Sequence, residues 1–194
     1  MRNVYEQMGV NLDGIIRFSY FNGKEVRIDM LLTIFFAIVV CAAVALMMIA
    51  GVAFIQDTKM FSSAPKEFRE VLKPRNKELF YGAKAIGWML MIFSVVMIIG
   101  ALAISVWDGF RCEYSFWQFF LRFVMIFTIY KLFDMICLDY FLLLKFHFFQ
   151  FYFPEIESVS HGRKYGFNII SQLLKLLVVF PAISALAAWI CTLF

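Results

Sequence analysis

Long stretches without a charged residue dominate the hydrophobic pattern of this 194-residue chain. Residues 30–55 and residues 85–107 each contain no Asp, Glu, Lys or Arg. An α-helix rises about 1.5 Å per residue, so about 20 apolar residues cross a hydrocarbon core about 30 Å thick. Both stretches therefore predict transmembrane helices. A soluble fold is not expected, because the chain offers no amphipathic segments that would cover two such helices.

Two further spans are predicted in segments where charged residues interrupt the apolar pattern. Residues 114–153 contain neither Gly nor Pro, and one straight helix of that length would measure about 60 Å, twice the hydrocarbon thickness. We place the third span at 120–144, with the aromatic segment 146–153 in the headgroup region. The fourth span covers 167–193 and is expected to kink at Pro181. The predicted fold is all-α: a single membrane domain with four transmembrane helices.

The distribution of basic residues predicts the orientation of these spans, because Lys and Arg accumulate in cytoplasmic loops. The loop 56–84 holds seven of them: Lys59, Lys66, Arg69, Lys73, Arg75, Lys77 and Lys84. The loop after the third span holds Lys145, Arg163 and Lys164, whereas the loop 108–113 holds only Arg111. We therefore expect a cell membrane protein with the basic loop 56–84 in the cytoplasm and both termini outside.

Two shorter segments leave alternatives open. Residues 66–73, KEFREVLK, predict a short helix that follows Pro65 and ends before Pro74. Phe68 and Leu72 give it a narrow apolar edge, so it is either a solvated basic loop or a helix on the anionic cytoplasmic leaflet. Residues 1–29 are not expected to be a cleavable signal peptide. They form either an interfacial segment or a partly ordered tail.

The composition fits this class of protein, since 63% of the residues are hydrophobic and only 16% are charged. The net charge of +4 is explained by topology, so we do not expect nucleic-acid binding. The four cysteines show no metal-type spacing and are expected to be small buried residues. We find no catalytic or cofactor-binding motif. His147, His161, Glu155 and Glu157 lack the spacing of a metal site, so neither a metal nor a cofactor is predicted.

Charged residues at membrane depth mark the candidate site. The predicted polar centre consists of Lys131, Asp134, Asp139 and Lys175, because each such residue costs about 2.5–3.5 kcal/mol on insertion scales and must be paired, hydrated or used. At about 100° per residue, Lys131, Asp134 and Lys145 share one helix face. We expect Lys175 to neutralise Asp134 or Asp139 across the bundle.

The polar centre has two interpretations. In the first, its members form buried ion pairs that fix helix register, while Arg122 and Lys145 extend to opposite interfaces. In the second, it is a polar pocket or proton relay near the bilayer midplane. The leading function hypothesis is a non-enzymatic transport component or accessory subunit, alone, as a homo-oligomer or in a larger membrane complex. The alternative is a membrane enzyme that acts on a lipid or isoprenoid, with an aspartate as acid or base and a basic loop residue holding a phosphate.

Several short motifs resemble a group of uncharacterised four-helix membrane proteins from Gram-positive bacteria. They are Ser115-Phe116-Trp117, Phe133-Asp134-x4-Asp139-Tyr140, Tyr165-Gly166-Phe167 and Pro65-Lys66-Glu67-Phe68-Arg69. The resemblance covers roughly residues 61–171 and departs from the group at 154–161, where a stretch with Gly and Thr is expected. It implies a four-helix fold and a membrane location, and it implies no activity.

Overall fold

The computed structural model describes residues 15–19, 25–58, 66–73, 75, 78–160 and 169–193. This part of the chain is mainly helical, as predicted. In chain order its elements are β1 (Ile15–Ser19), β2 (Glu25–Asp29), α1 (Met30–Ile49), α2 (Lys66–Val71), α3 (Ala83–Arg111), α4 (Phe116–Phe133), α5 (Phe148–Tyr152), α6 (Glu157–Ser160), α7 (Ile169–Leu174) and α8 (Phe180–Cys191). A 3₁₀ turn over Pro154–Ile156 connects α5 to α6.

Three stretches of wider, π-helical turns extend the long helices. Ala50–Ile55 continues α1, Asp134–Lys145 continues α4, and Lys175–Val179 joins α7 to α8. The last of these ends two residues before Pro181, which lacks an N–H and cannot complete an ordinary α-helical turn. The irregularity expected at this proline therefore takes the form of a widened turn on its N-terminal side.

Three helical segments of the described chain are long and apolar enough to cross a membrane. They are Met30–Ile55, Ala83–Arg111 and Ser171–Cys191, which correspond to the first, second and fourth predicted spans. The helix over residues 116–145 carries five charged residues and is not among the three. The membrane class of the protein is therefore supported by three helices, and the crossing by α4 stays a prediction.

A β-hairpin precedes α1 and was not predicted. β1 and β2 pair antiparallel, with Ile15 opposite Asp29 and Ser19 opposite Glu25. The signal in the sequence is the alternation of polar and apolar residues over 25–29, EVRID, after the turn-forming pair Asn22-Gly23. The structure of residues 20–24 lies outside the described part of the chain.

The long helices pack in the order α3, α1, α4, α8. α1 lies between α3 and α4, and α4 lies between α1 and α8. Small residues allow these contacts: Ala37 and Cys41 of α1 and Ser184 and Ala188 of α8 are all buried.

A close backbone approach fixes the end of the α1–α3 contact. A Cβ atom on Gly87 of α3 would lie 2.7 Å from Ile55 Cγ1 and 2.8 Å from Phe54 Cβ. Both atoms belong to the π-helical continuation of α1, and such distances are too short for any side chain at residue 87. Glycine is therefore required where α3 begins beside the end of α1.

Large apolar surfaces on the two outer helices, α3 and α8, are not covered by any described part of the chain. Exposed side chains of α3 include Met89, Ile92, Val96 and Ile99, and those of α8 include Leu186 and Trp189. Patches of this size on a soluble protein would be an aggregation hazard. Acyl chains or a partner helix are their natural surroundings.

The two loops with the most basic residues fold together as a cap at one end of the helices. Phe68 and Leu72 of the α2 region pack with Leu143, Phe149, Phe153 and Ile156. The predicted short helix is confirmed, and its apolar edge is buried against protein instead of lipid or water. A salt bridge of 2.8 Å between Arg75 and Glu155 also joins the two loops.

Candidate intramembrane polar site

Lys131 and Asp134 form a direct ion pair one turn apart on the helix that starts with α4. Lys131 Nζ lies 2.5 Å from Asp134 Oδ2. The Lys131 side chain is 5% exposed and that of Asp134 is 20% exposed. Each charge neutralises the other at close range, but the pair lies within one helix and so does not itself fix the register between two helices.

Asp139 has different surroundings. It is 8% exposed, and its Oδ2 accepts a hydrogen bond of 2.9 Å from Nε2 of Gln172, which is on α7. Within the part of the chain that the structure describes, no basic group lies within salt-bridge distance of this carboxylate. Gln172 Oε1 is also buried without a hydrogen-bond partner there. Asp139 and Gln172 therefore present oxygen acceptors that described protein groups leave unused.

Lys175 does not neutralise either aspartate, contrary to the expectation from sequence. Its side chain is exposed, and it forms no ion pair with any described residue. Gln172, three residues earlier, makes the contact across the helices instead. No motif singled out Gln172, because one uncharged amide in an apolar segment is a weak signal. The four predicted members therefore separate into one ion pair, one amide-bound carboxylate and one exposed lysine.

The π-helical turns remove the basis for placing Lys145 on the same helix face as Lys131 and Asp134. An ordinary α-helix would place Lys145 within about 20° of Asp134. Asp134–Lys145 is π-helical throughout, so each residue advances by a smaller angle and the predicted rotation does not apply. Lys145 is exposed at the end of this stretch. Asp134, Asp139 and Lys175 all lie in π-helical stretches, which are rare and often occur at functional sites.

A second polar cluster surrounds Arg122, at the opposite end of α4. Arg122 is fully buried and lies 2.7 Å from Asp108 Oδ2 in a salt bridge. Its guanidinium also donates to the Ser105 carbonyl oxygen at 3.0 Å and to the Tyr114 hydroxyl at 2.7 Å. The Tyr114 ring lies 4.6 Å from the same guanidinium. The guanidinium of Arg122 is therefore buried and paired beside the connection between α3 and α4.

The Arg122 cluster joins α3 to α4 across a tight connection. Gly109 allows the approach, because a Cβ atom there would lie 2.3 Å from a ring carbon of Phe119. α4 itself begins with a capping box in which Gln118 accepts a 2.8 Å hydrogen bond from the Ser115 backbone. Asp108 lies outside the uncharged stretch of α3, so no feature of the sequence pattern connects it with Arg122.

The described residues form no group of three or more His, Cys, Asp and Glu side chains that would hold a metal ion. Glu155 is engaged instead with Arg75 and with the Lys73 backbone N–H, at 2.8 and 3.1 Å. His161 lies outside the described residues.

Comparison with known proteins gives no further assignment. No family model, curated protein or solved structure matches the chain.

Proposed function

We propose that this chain is a four-span, non-enzymatic protein of the cell membrane, a small transport component with the Asp139–Gln172 contact as its working centre. In this proposal α4 crosses the bilayer, the cap lies in the cytoplasm and both termini lie outside. The resemblance to the four-helix membrane proteins of Gram-positive bacteria, also a proposal, leads to the same class of protein.

The observation that carries the proposal is the contrast between the two aspartates. Asp134 has a lysine beside it, so its charge is already neutralised by a described group. Asp139 is more deeply buried and has only an amide donor. Asp139 makes no salt bridge with a described basic group, and a buried carboxylate in such surroundings favours the uptake of a proton or a small cation. Such groups within transmembrane helices are typical of proton and ion paths.

The alternative of a lipid or isoprenoid enzyme receives less support from the geometry. It requires an acid or base beside a basic residue that holds a phosphate. A cleft where the end of α1, the start of α3 and the cap meet is lined by the basic residues Arg75 and Lys84. Neither Asp134 nor Asp139 lines this cleft. One observation supports the role of an accessory subunit: the apolar faces of α3 and α8 are not covered by described residues.

Proton flux into liposomes tests the transport proposal. The purified full chain is reconstituted with an internal pH-sensitive dye, and a potassium diffusion potential drives protons inward. We expect Asp139→Asn to lower the protein-dependent rate at least tenfold. Asparagine retains the shape and still accepts a hydrogen bond from Gln172, but it cannot carry a proton at neutral pH.

Lys145→Gln is the matched control, because it removes an exposed charge from the end of the π-helical stretch that carries Asp139. It should retain at least half of the wild-type rate. Equal rates for wild type and Asp139→Asn would contradict the role of Asp139. A wild-type rate no greater than that of protein-free liposomes would contradict transport by the isolated chain and leave the accessory-subunit role.

A further inference from the structure

A cleft of about 240 Å³ lies where the end of α1 meets the beginning of α3 and the cap. It is separate from the polar centre, and its lining residues are Ile55, Gln56, Asp57, Thr58, Arg75, Lys84 and Trp88. Gln56 ends the π-helical stretch in a left-handed conformation, with φ of 53°. The chain therefore turns away from α1 at the cleft.

The cleft holds two basic side chains with unused hydrogen-bonding capacity. Lys84 forms no ion pair with any described residue. Arg75 uses Nη2 for Glu155 and lies 5.5 Å from the Phe153 ring. Its Nε is buried and has no acceptor in the described part of the chain. The Arg75 side chain is 35% exposed, so a phosphate oxygen can reach its guanidinium beside Glu155, and arginine binds phosphate in the same fork geometry that it uses for carboxylates.

The position of the cleft is that of lipid headgroups. It lies between the cap and two helices that are apolar enough to cross a membrane, Met30–Ile55 and Ala83–Arg111. Trp88 lines it and is 48% exposed, while Phe80 and Tyr81 are exposed just before α3. Partly exposed aromatic rings beside a basic residue are typical of the membrane–water interface. This placement does not depend on whether α4 crosses the membrane.

From these observations we propose that the cleft binds a phosphate group through Arg75 and Lys84, with Trp88 beside it at headgroup depth. The phosphate belongs to a phospholipid headgroup or is free in solution. Asp57 also lines the cleft, and Glu155 already pairs with Arg75. Lys84 is therefore the basic residue of the lining without an acidic partner among the described residues, and we expect it to contribute most to holding the phosphate.

Native mass spectrometry of the full chain in detergent tests the site, with dioleoylphosphatidylglycerol titrated as the probe. We expect one bound lipid, and we expect Lys84→Gln to weaken its binding about tenfold, the effect of losing one charge-assisted hydrogen bond of about 1.4 kcal/mol. Lys84→Arg should retain binding. Lys145→Gln is the matched control, since it removes an exposed lysine outside the cleft and should bind as wild type does.

Inorganic phosphate, used as a competitor, distinguishes the two sources of the phosphate, and dioleoylglycerol tests whether a phosphate group is needed for binding. If inorganic phosphate at millimolar concentration displaces the lipid from wild type, or binds alone and is lost in Lys84→Gln, the site takes phosphate from solution. If it does neither while Lys84→Gln weakens the lipid, the site is a headgroup site. Equal affinities for wild type and Lys84→Gln would overturn the proposal. It would also be overturned if dioleoylglycerol, which lacks phosphate, bound as tightly as the phospholipid.

Discussion

Replacement of Asp108 by Leu is expected to destabilise the protein by about 3 kcal/mol, the largest effect that we predict for a single change. Arg122 is fully buried, and Asp108 is its only anionic partner among the described residues. Removal of one partner from a buried ion pair leaves an uncompensated charge, which costs about 3–5 kcal/mol. We place Asp108→Leu at the lower end because the contacts to Tyr114 and the Ser105 carbonyl remain. Thermal unfolding in detergent, followed by size-exclusion chromatography, measures the loss.

A double variant separates the loss of the ion pair from any local damage. When Arg122→Met accompanies Asp108→Leu, the buried charge is gone, so most of the lost stability should return. Arg111→Gln is the control at the same end of α3, because Arg111 is exposed and lies over the Trp107 ring at 5.4 Å. Its effect should stay below about 1 kcal/mol. A double variant as unstable as Asp108→Leu alone would show that the ion pair is not the cause.

Asp134→Leu is expected to give the second largest loss, about 2 kcal/mol. It leaves the ammonium group of Lys131, whose side chain is 5% exposed, without its partner. The loss should be smaller than at Asp108 because Lys131 is less completely buried than Arg122. The double variant Lys131→Met with Asp134→Leu should recover most of it. The same unfolding measurement applies.

Asp139→Asn is the comparison that distinguishes the two aspartates. The amide oxygen replaces the carboxylate as acceptor for Gln172, so the loss of stability should stay below about 1 kcal/mol. The interpretation of Asp134 as a stabilising partner and Asp139 as a functional group requires this difference. Equal losses at the two positions would contradict it.

The membrane class and the helical fold could be predicted because they depend on composition over long windows. Uncharged stretches such as 30–55 and 85–107 are long enough to cross a bilayer as helices, and these helices appear where they were expected. The short helix after Pro65 was also predictable, because its start signals and its apolar edge are local. The residues that cover this apolar edge were not predictable, since Leu143 and Phe153 come from a distant part of the sequence.

The arrangement of the charged residues was only partly predictable. The Lys131–Asp134 pair follows from i,i+3 spacing on one helix, a local property. The burial of Arg122 depends on Asp108 in a different helix, and the contact of Asp139 with Gln172 spans 33 residues. The π-helical turns after Phe133 also change the direction of each later side chain. Tertiary contacts of this kind have no periodicity that would reveal them.

If α4 crosses the membrane and holds the polar centre within it, residues beyond its two ends lie on opposite sides of the bilayer, and cysteine labelling at residues 112 and 158 tests this. Cys112 is exposed in the connection between α3 and α4, and Ser158 is exposed on α6 beyond the far end of α4. A membrane-impermeant maleimide is applied to cells that produce the wild-type chain or Ser158→Cys with Cys112→Ala. We expect Cys112 to react in intact cells and residue 158 to react only after permeabilisation. Reaction of both positions under the same condition would place them on one side and contradict the crossing by α4.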